Sequence, residues 1–218
     1  MSAQEFAVID AIQEQDSDAL AELLAANPAL ADTRTEGGVS ALMLALYSGQ
    51  RRLARIIADH REGLDIFEAA SLGLEAHLER SLEMDPDAVM YISADGMSPL
   101  HFSSRFDQPH ITALLLERGA NPELSSENPL AFSPLHAAVA GASLESAELL
   151  LDAGASINAR QGDSLTPLMA AAATGQIELV ELMLDHGADT ELRSSKGLRA
   201  AEIAVDQGFD DIAELLDE

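Results

Sequence analysis

His101 and His136 are the residues whose type could carry chemistry most directly. Each is the fourth residue of a phrase, Ser98-Pro99-Leu100-His101 and Ser133-Pro134-Leu135-His136. A metal role would need carboxylate or imidazole partners one helical turn away. Met43 and Met169 fill the equivalent places in related phrases, so the pattern favours an imidazole that bonds backbone. His60, His77, His110 and His186 are scattered and do not pair. Asp206, Asp210, Asp211, Glu214, Asp217 and Glu218 could draw a divalent cation. They lack the spacing and mid-loop glycine of a calcium loop, and read as a solvated end face. Glu178 and Glu181 stand at helical spacing on an outer face. No phosphate loop, nucleophile elbow or dinucleotide turn is present in the sequence. The expectation is a protein without catalytic, cofactor-binding or metal residues.

The elements that would hold these residues are written in repeats. The phrase recurs as Thr166-Pro167-Leu168-Met169, and each copy is followed by Gly119-Ala120-Asn121, Gly154-Ala155-Ser156 or Gly187-Ala188-Asp189. A fixed phase of this kind marks a stacked repeat array. Ser or Thr is a good helix N-cap, and proline suits the first helical residue, whose N–H is unpaired anyway. Alanines then give a slim inner helix, and leucine runs such as Leu149-Leu150-Leu151 a second, outer helix. Glycine ends it in the left-handed conformation. The polar stretch beyond, Ser156 to Asp163 for example, suits a projecting hairpin finger.

These motifs resemble the ankyrin-repeat family over nearly the whole chain. The resemblance implies a mainly α solenoid of about seven helix-turn-helix repeats with short hairpin-like fingers and capping ends. Anchors fall at Phe6, Ser40, Leu64, Ser98, Ser133, Thr166 and Arg199. The repeats are expected near 1–34, 35–62, 63–92, 93–127, 128–160, 161–193 and 194–218, in a single domain. Between Ile56-Ile57 and the inner helix from Asp65, only His60 to Leu64 remain, too few for a finger. Either a tolerant loop has lost residues, or a gap in the finger row shapes the groove. The segment Asp65 to Gly73 is similar to one found in bacterial ankyrin proteins.

The net charge is −26, divided as −12 over residues 1–109 and −14 over 110–218, so the whole surface is negative. DNA, RNA and anionic membranes are poor partners for it, and a basic protein surface is a better one. Solubility or salt adaptation would give the same charge. No apolar run reaches a membrane span, and Met1 to Asp10 lacks the basic and apolar blocks of a signal peptide. With no cysteine, the cytoplasm is the expected location. One lysine, Lys196, against eleven arginines points to a GC-rich bacterial genome.

In the ankyrin family, partners meet the finger tips and the exposed side of the inner helices. Carried onto this sequence, those positions are small near Ala140, Gly141, Ala173 and Thr174. In the middle they are large: Tyr47, Leu72, Met97, Arg105, Phe106 and Phe132. These six are the candidate protein-binding residues, in a chain with only 4% aromatic residues. The alternative is that Phe106 and Phe132 pack together and plug a seam between repeats. The function expected is a protein-binding scaffold for an unidentified partner. A self-associating module is the second reading, so a monomer is expected and a homodimer is the alternative.

Overall fold

The computed structural model describes residues 1–217. They form seven helix pairs, each an inner helix followed by an outer one. Layer 1 holds Ala3–Gln13 (α1) and Ser17–Ala26 (α2); layer 2, Ala41–Tyr47 (α3) and Arg51–Asp59 (α4). Layer 3 holds Ile66–Leu72 (α5) and Glu75–Met84 (α6); layer 4, Pro99–Arg105 (α7) and Pro109–Glu117 (α8). Layers 5 and 6 are Pro134–Ala140 (α9) with Leu144–Asp152 (α10), and Pro167–Ala173 (α11) with Ile177–Asp185 (α12). Layer 7 is Ala200–Gln207 (α13) with Asp210–Asp217 (α14). This is the mainly helical repeat solenoid that the phrases imply.

The caps explain where the inner helices start. Ser40 Oγ accepts from Met43 N at 3.2 Å, and Thr166 Oγ1 from Met169 N at 3.3 Å. Pro99, Pro134 and Pro167 occupy the first turn. Two anchors move. Layer 1 is capped by Ser2, not Phe6, through a reciprocal pair with Glu5. Layer 3 is capped by Asp65, not Leu64, through the same device with Glu68. Phe and Leu carry no oxygen to accept an orphan N–H, whereas Ser-x-x-Glu and Asp-x-x-Glu satisfy two donors at once.

Five of the outer helices end as their sequence dictates. Gly119, Gly154 and Gly187 take positive φ just past α8, α10 and α12. After α2 and α6, proline stops the helix, and short 3-10 turns, Pro28–Asp32 and Pro86–Met90, follow. Their Leu30, Ala31, Ala88 and Val89 are buried.

A single apolar cluster runs through the stack. Leu42, Ile57, Leu78, Leu100, Phe102, Leu115, Leu135 and Leu150 are almost wholly hidden from solvent. A buried leucine of this kind contributes about 1.5–3 kcal/mol from burial. Alanine-rich α9 and α11 let neighbouring layers approach closely.

Candidate binding groove

The fingers are short turns before the inner helices, and those of layers 4 to 7 are tied to one another through the backbone. Glu127 N donates to Gly96 O at 2.7 Å, Gly162 N to Leu130 O at 2.8 Å, and Ser195 N to Asp163 O at 2.8 Å. Fingers 4 to 7, numbered by the layer they precede, thus form a continuous row. Layer 3 has no finger: α4 ends at Asp59 and α5 begins at Ile66.

Beneath the row, the two phrase histidines tie layer to layer. His101 Nε2 donates to Phe132 O at 3.0 Å, and His136 Nε2 to Leu165 O at 3.2 Å. Each Nδ1 faces its own capping serine, Ser98 Oγ at 2.8 Å and Ser133 Oγ at 2.9 Å. An acceptor facing Nε2 and donors facing Nδ1 fix the neutral Nε2–H tautomer. Burial lowers both imidazoles to about 4, against a partial rise from the carbonyl each one meets. They are structural pins.

Layer 3 uses charge at the equivalent place. Glu68 is 1% exposed. Its Oε1 accepts from Ser40 Oγ at 2.8 Å and from Arg61 Nη1 at 2.6 Å. Arg61 comes from the shortened loop, and its Nε stands 2.9 Å from Asp32 Oδ1 as an ion pair without hydrogen-bond alignment. Asp65 is raised by loss of water and by Glu68, although its outer edge stays exposed.

The six candidate residues separate into two groups. Leu72 (4% exposed), Met97 (6%) and Phe106 (8%) are buried. The expectation of one exposed apolar cluster is therefore corrected. Phe106 stacks on Phe102 with ring centroids 6.5 Å apart and meets Tyr47 at 5.9 Å. Its carbonyl accepts from the Arg51 guanidinium and from Gln108 Nε2. Phe132 lies edge-on to His101 at 5.5 Å, so each of the two rings has a seam partner of its own. Tyr47, Arg105 and Phe132 keep accessible surface. Tyr47 donates its hydroxyl to Asp95 Oδ2 at 2.7 Å, which together with burial raises the phenol.

The turn Phe106-Asp107-Gln108-Pro109 is resolved by Asp107 at φ 53°, where layers 2, 3, 6 and 7 have Gly49, Gly73, Gly175 and Gly208 and layers 1 and 5 have Gln15 and Ala142. Its Oδ1 accepts from Ser143 Oγ at 2.8 Å, which secures the strained residue to layer 5.

Three hollows line the side bounded by fingers and inner helices. One, of about 240 Å³, occupies the place of the absent finger. The second, also about 240 Å³, runs from Arg105 past Leu130 and Phe132 to Val139 and Thr174. The third, about 220 Å³, lies between Leu165, Lys196, Leu198 and Asp206. Leu130, 58% exposed at the tip of finger 5, also lines the second hollow, and in the sequence it is a single leucine in a turn-rich loop with no motif to mark it. The Arg61–Glu68 pair was signalled only by an arginine in a shortened loop and a glutamate in the first turn of the next helix.

Among the described residues, no three His, Cys, Asp or Glu side chains converge as a metal site. Asp217 pairs with Arg199 at 3.4 Å; Glu218 lies outside the described residues. No helix among them is long and apolar enough to cross a membrane.

Comparison with known proteins agrees with this architecture. A family model described as "Ankyrin repeats (many copies)" matches residues 135–184, and one described as "Ankyrin repeat" matches 95–127. Human neurogenic locus notch homolog protein 4 is 34% identical over 120 residues, which cover 55% of this chain and 5% of that protein. The putative ankyrin repeat protein FPV014 of fowlpox virus (strain NVSL) is 29% identical over 142 residues, covering 60% of this chain and 31% of its own length. The chain thus spans less than a third of either relative.

Proposed function

This chain is an ankyrin-repeat protein, and on that premise we propose that it is a non-enzymatic scaffold holding a basic protein partner in its concave groove. Ankyrin repeats mediate protein–protein interaction, and the family is typically non-enzymatic. The observation that carries the finer reading is the row of three hollows along one side of a chain whose net charge is −26. A basic partner is steered towards such a surface, and apolar contacts within the hollows then slow its departure.

Of the six sequence candidates, Tyr47, Arg105 and Phe132 take the contact role, joined by Leu130. Leu72, Met97 and Phe106 act from beneath, fixing the shape of the groove floor. The whole of residues 1–218 serves as one array, in the cytoplasm. Nucleic acid and anionic membranes are repelled by the same charge that recruits the partner.

The test is affinity measurement with a protein captured from cell extract on the immobilised chain. Arg105→Ala and Phe132→Ala should each weaken binding by about 1–3 kcal/mol. Glu148→Ala and Glu181→Ala, on the exposed outer helices, should change it much less. The opposite ranking would move the partner to the outer face. Self-association is the remaining reading, and two acidic grooves oppose it by repulsion. A mass that rises with concentration in sedimentation would establish it instead.

A further inference from the structure

We infer that the gap left by the absent finger receives an extended peptide segment carrying a lysine or arginine, which takes that finger's place in the backbone-bonded row. This deepens the groove reading and rests on it. The donors of the row at Gly162 and Ser195 stand four residues before the caps Thr166 and Arg199. The acceptors Leu130 and Asp163 stand three residues before Ser133 and Thr166. On the banks of the gap, the matching groups are the carbonyl of Gly37, three before Ser40, and the N–H of Ala94, four before Ser98. Among the described residues neither has a hydrogen-bond partner, and both residues are exposed and line the hollow. The gap therefore presents one acceptor on one bank and one donor on the other.

The lining states what kind of segment fits. Asp65 and Asp95 border the hollow, and Met43 and Phe67 supply apolar wall. Arg34, the basic residue of the lining, is spent on Gly38 O at 3.0 Å. Asp95 accepts from Tyr47 with Oδ2, which leaves Oδ1 for another donor. A lysine or arginine stem can lie along Phe67 with its head between the carboxylates. Meanwhile the segment's N–H donates to Gly37 O and its C=O accepts from Ala94 N–H. This is addition of an extended segment to exposed backbone, with alternate side chains read by pockets.

The test exploits the turn chemistry of finger 4. Ala94 is the second residue of the turn Ser93–Gly96, closed by Gly96 N donating to Ser93 O at 2.9 Å. Proline is favoured at that turn position and has no N–H to donate. Ala94→Pro should therefore keep the fold, checked by its melting curve, and remove the donor. The probe is a phage-displayed library of random linear peptides selected on the wild-type chain. Selected peptides should carry lysine or arginine and bind Ala94→Pro about tenfold or more weakly. Asp65→Asn combined with Asp95→Asn should weaken them as much, and this arm decides the matter if the proline variant fails to fold. Glu181→Ala, on the outer face, should leave them unaffected, and Arg105→Ala reports on peptides held farther along the groove. Peptides indifferent to both gap variants but lost on Arg105→Ala would overturn this inference and leave the groove reading standing. Peptides indifferent to all three, or no selection above an unrelated acidic protein, would overturn both.

Discussion

The junction of layers 2 and 3 and the junctions of layers 4 to 6 solve one problem in two ways. In both regions the third residue after the cap is buried and must find polar partners. Where a full finger precedes the next inner helix, its last carbonyl, Phe132 O or Leu165 O, hangs above the cap, and a neutral histidine donates to it. Glu68, three residues after the cap of layer 3, instead reaches back across the gap, to Arg61 of the shortened loop and Ser40 of layer 2. A neutral hydrogen bond needs a backbone group placed for it. A charged pair brings its own partner on a long side chain. The seam between layers 2 and 3 is thus ionic and those of layers 4 to 6 are neutral, with a different sensitivity in each half.

The largest effect should come from breaking the ionic seam. Arg61→Ala strands a buried carboxylate and should cost about 3–5 kcal/mol in urea unfolding. Arg61→Met with Glu68→Met should recover much of that, because an apolar pair of similar volume needs no desolvated charge. Leu150→Ala, in the histidine half, sets the scale, with an expected cost of about 2–5 kcal/mol for the cavity it leaves. If Arg61→Ala costs under about 1 kcal/mol, the pair is ornamental and the contrast between the seams fails.

Acid should separate the seams next. The folded-state values of His101 and His136 are lowered to about 4, against 6.5 when free. The unfolded chain therefore binds protons first as pH falls. Their stabilisation is complete above 6.5 and is lost as pH drops towards 4. Between pH 7 and 5 the loss should be about 2 kcal/mol per histidine. Acidification also relieves repulsion among the carboxylates, so the informative quantity is the difference from His101→Gln with His136→Gln. That double variant should lack the histidine part of the slope; an unchanged slope would place the pins elsewhere.

The smallest effect should be that of salt. Screening of a surface at −26 should raise the melting temperature from low to moderate NaCl. The neutralised Arg61 and Glu68 double variant should respond like the wild type, since a buried pair is barely screened. A steady fall with salt would show that the surface charge does not oppose the fold.

Much of this contrast was legible in the sequence. Ser98, Ser133 and Thr166 with their prolines marked three inner helices directly, because capping is a local matter of one hydroxyl and one turn. The short span His60 to Leu64 announced the absent finger. Ser2 and Asp65 are less legible, because their caps rely on a glutamate three residues on and have no Pro-Leu after them. The groove was harder. Carrying positions over from a regular repeat assumes a finger in every layer. Without the third one, Tyr47 leans across to Asp95, and the surface that Leu72, Met97 and Phe106 would have shared is closed over. Arg61 and Glu68 belong to a loop and a helix, and only the folded chain brings them to one point.

The reach of Tyr47 and Arg51 has a consequence for how the molecule comes apart. An array coupled only between neighbours can fray from either end, one layer after another. Here Tyr47 bonds Asp95 and touches Phe106, and Arg51 bonds the Phe106 carbonyl, all from layer 2 to layer 4. These contacts step over layer 3. Opening any one of these three layers strips contacts from the other two, so layers 2, 3 and 4 form a cooperative block inside an otherwise sequential stack. Amide hydrogens of α3, α5 and α7 then exchange together, through a single opening, while those towards the C-terminus follow a gradient.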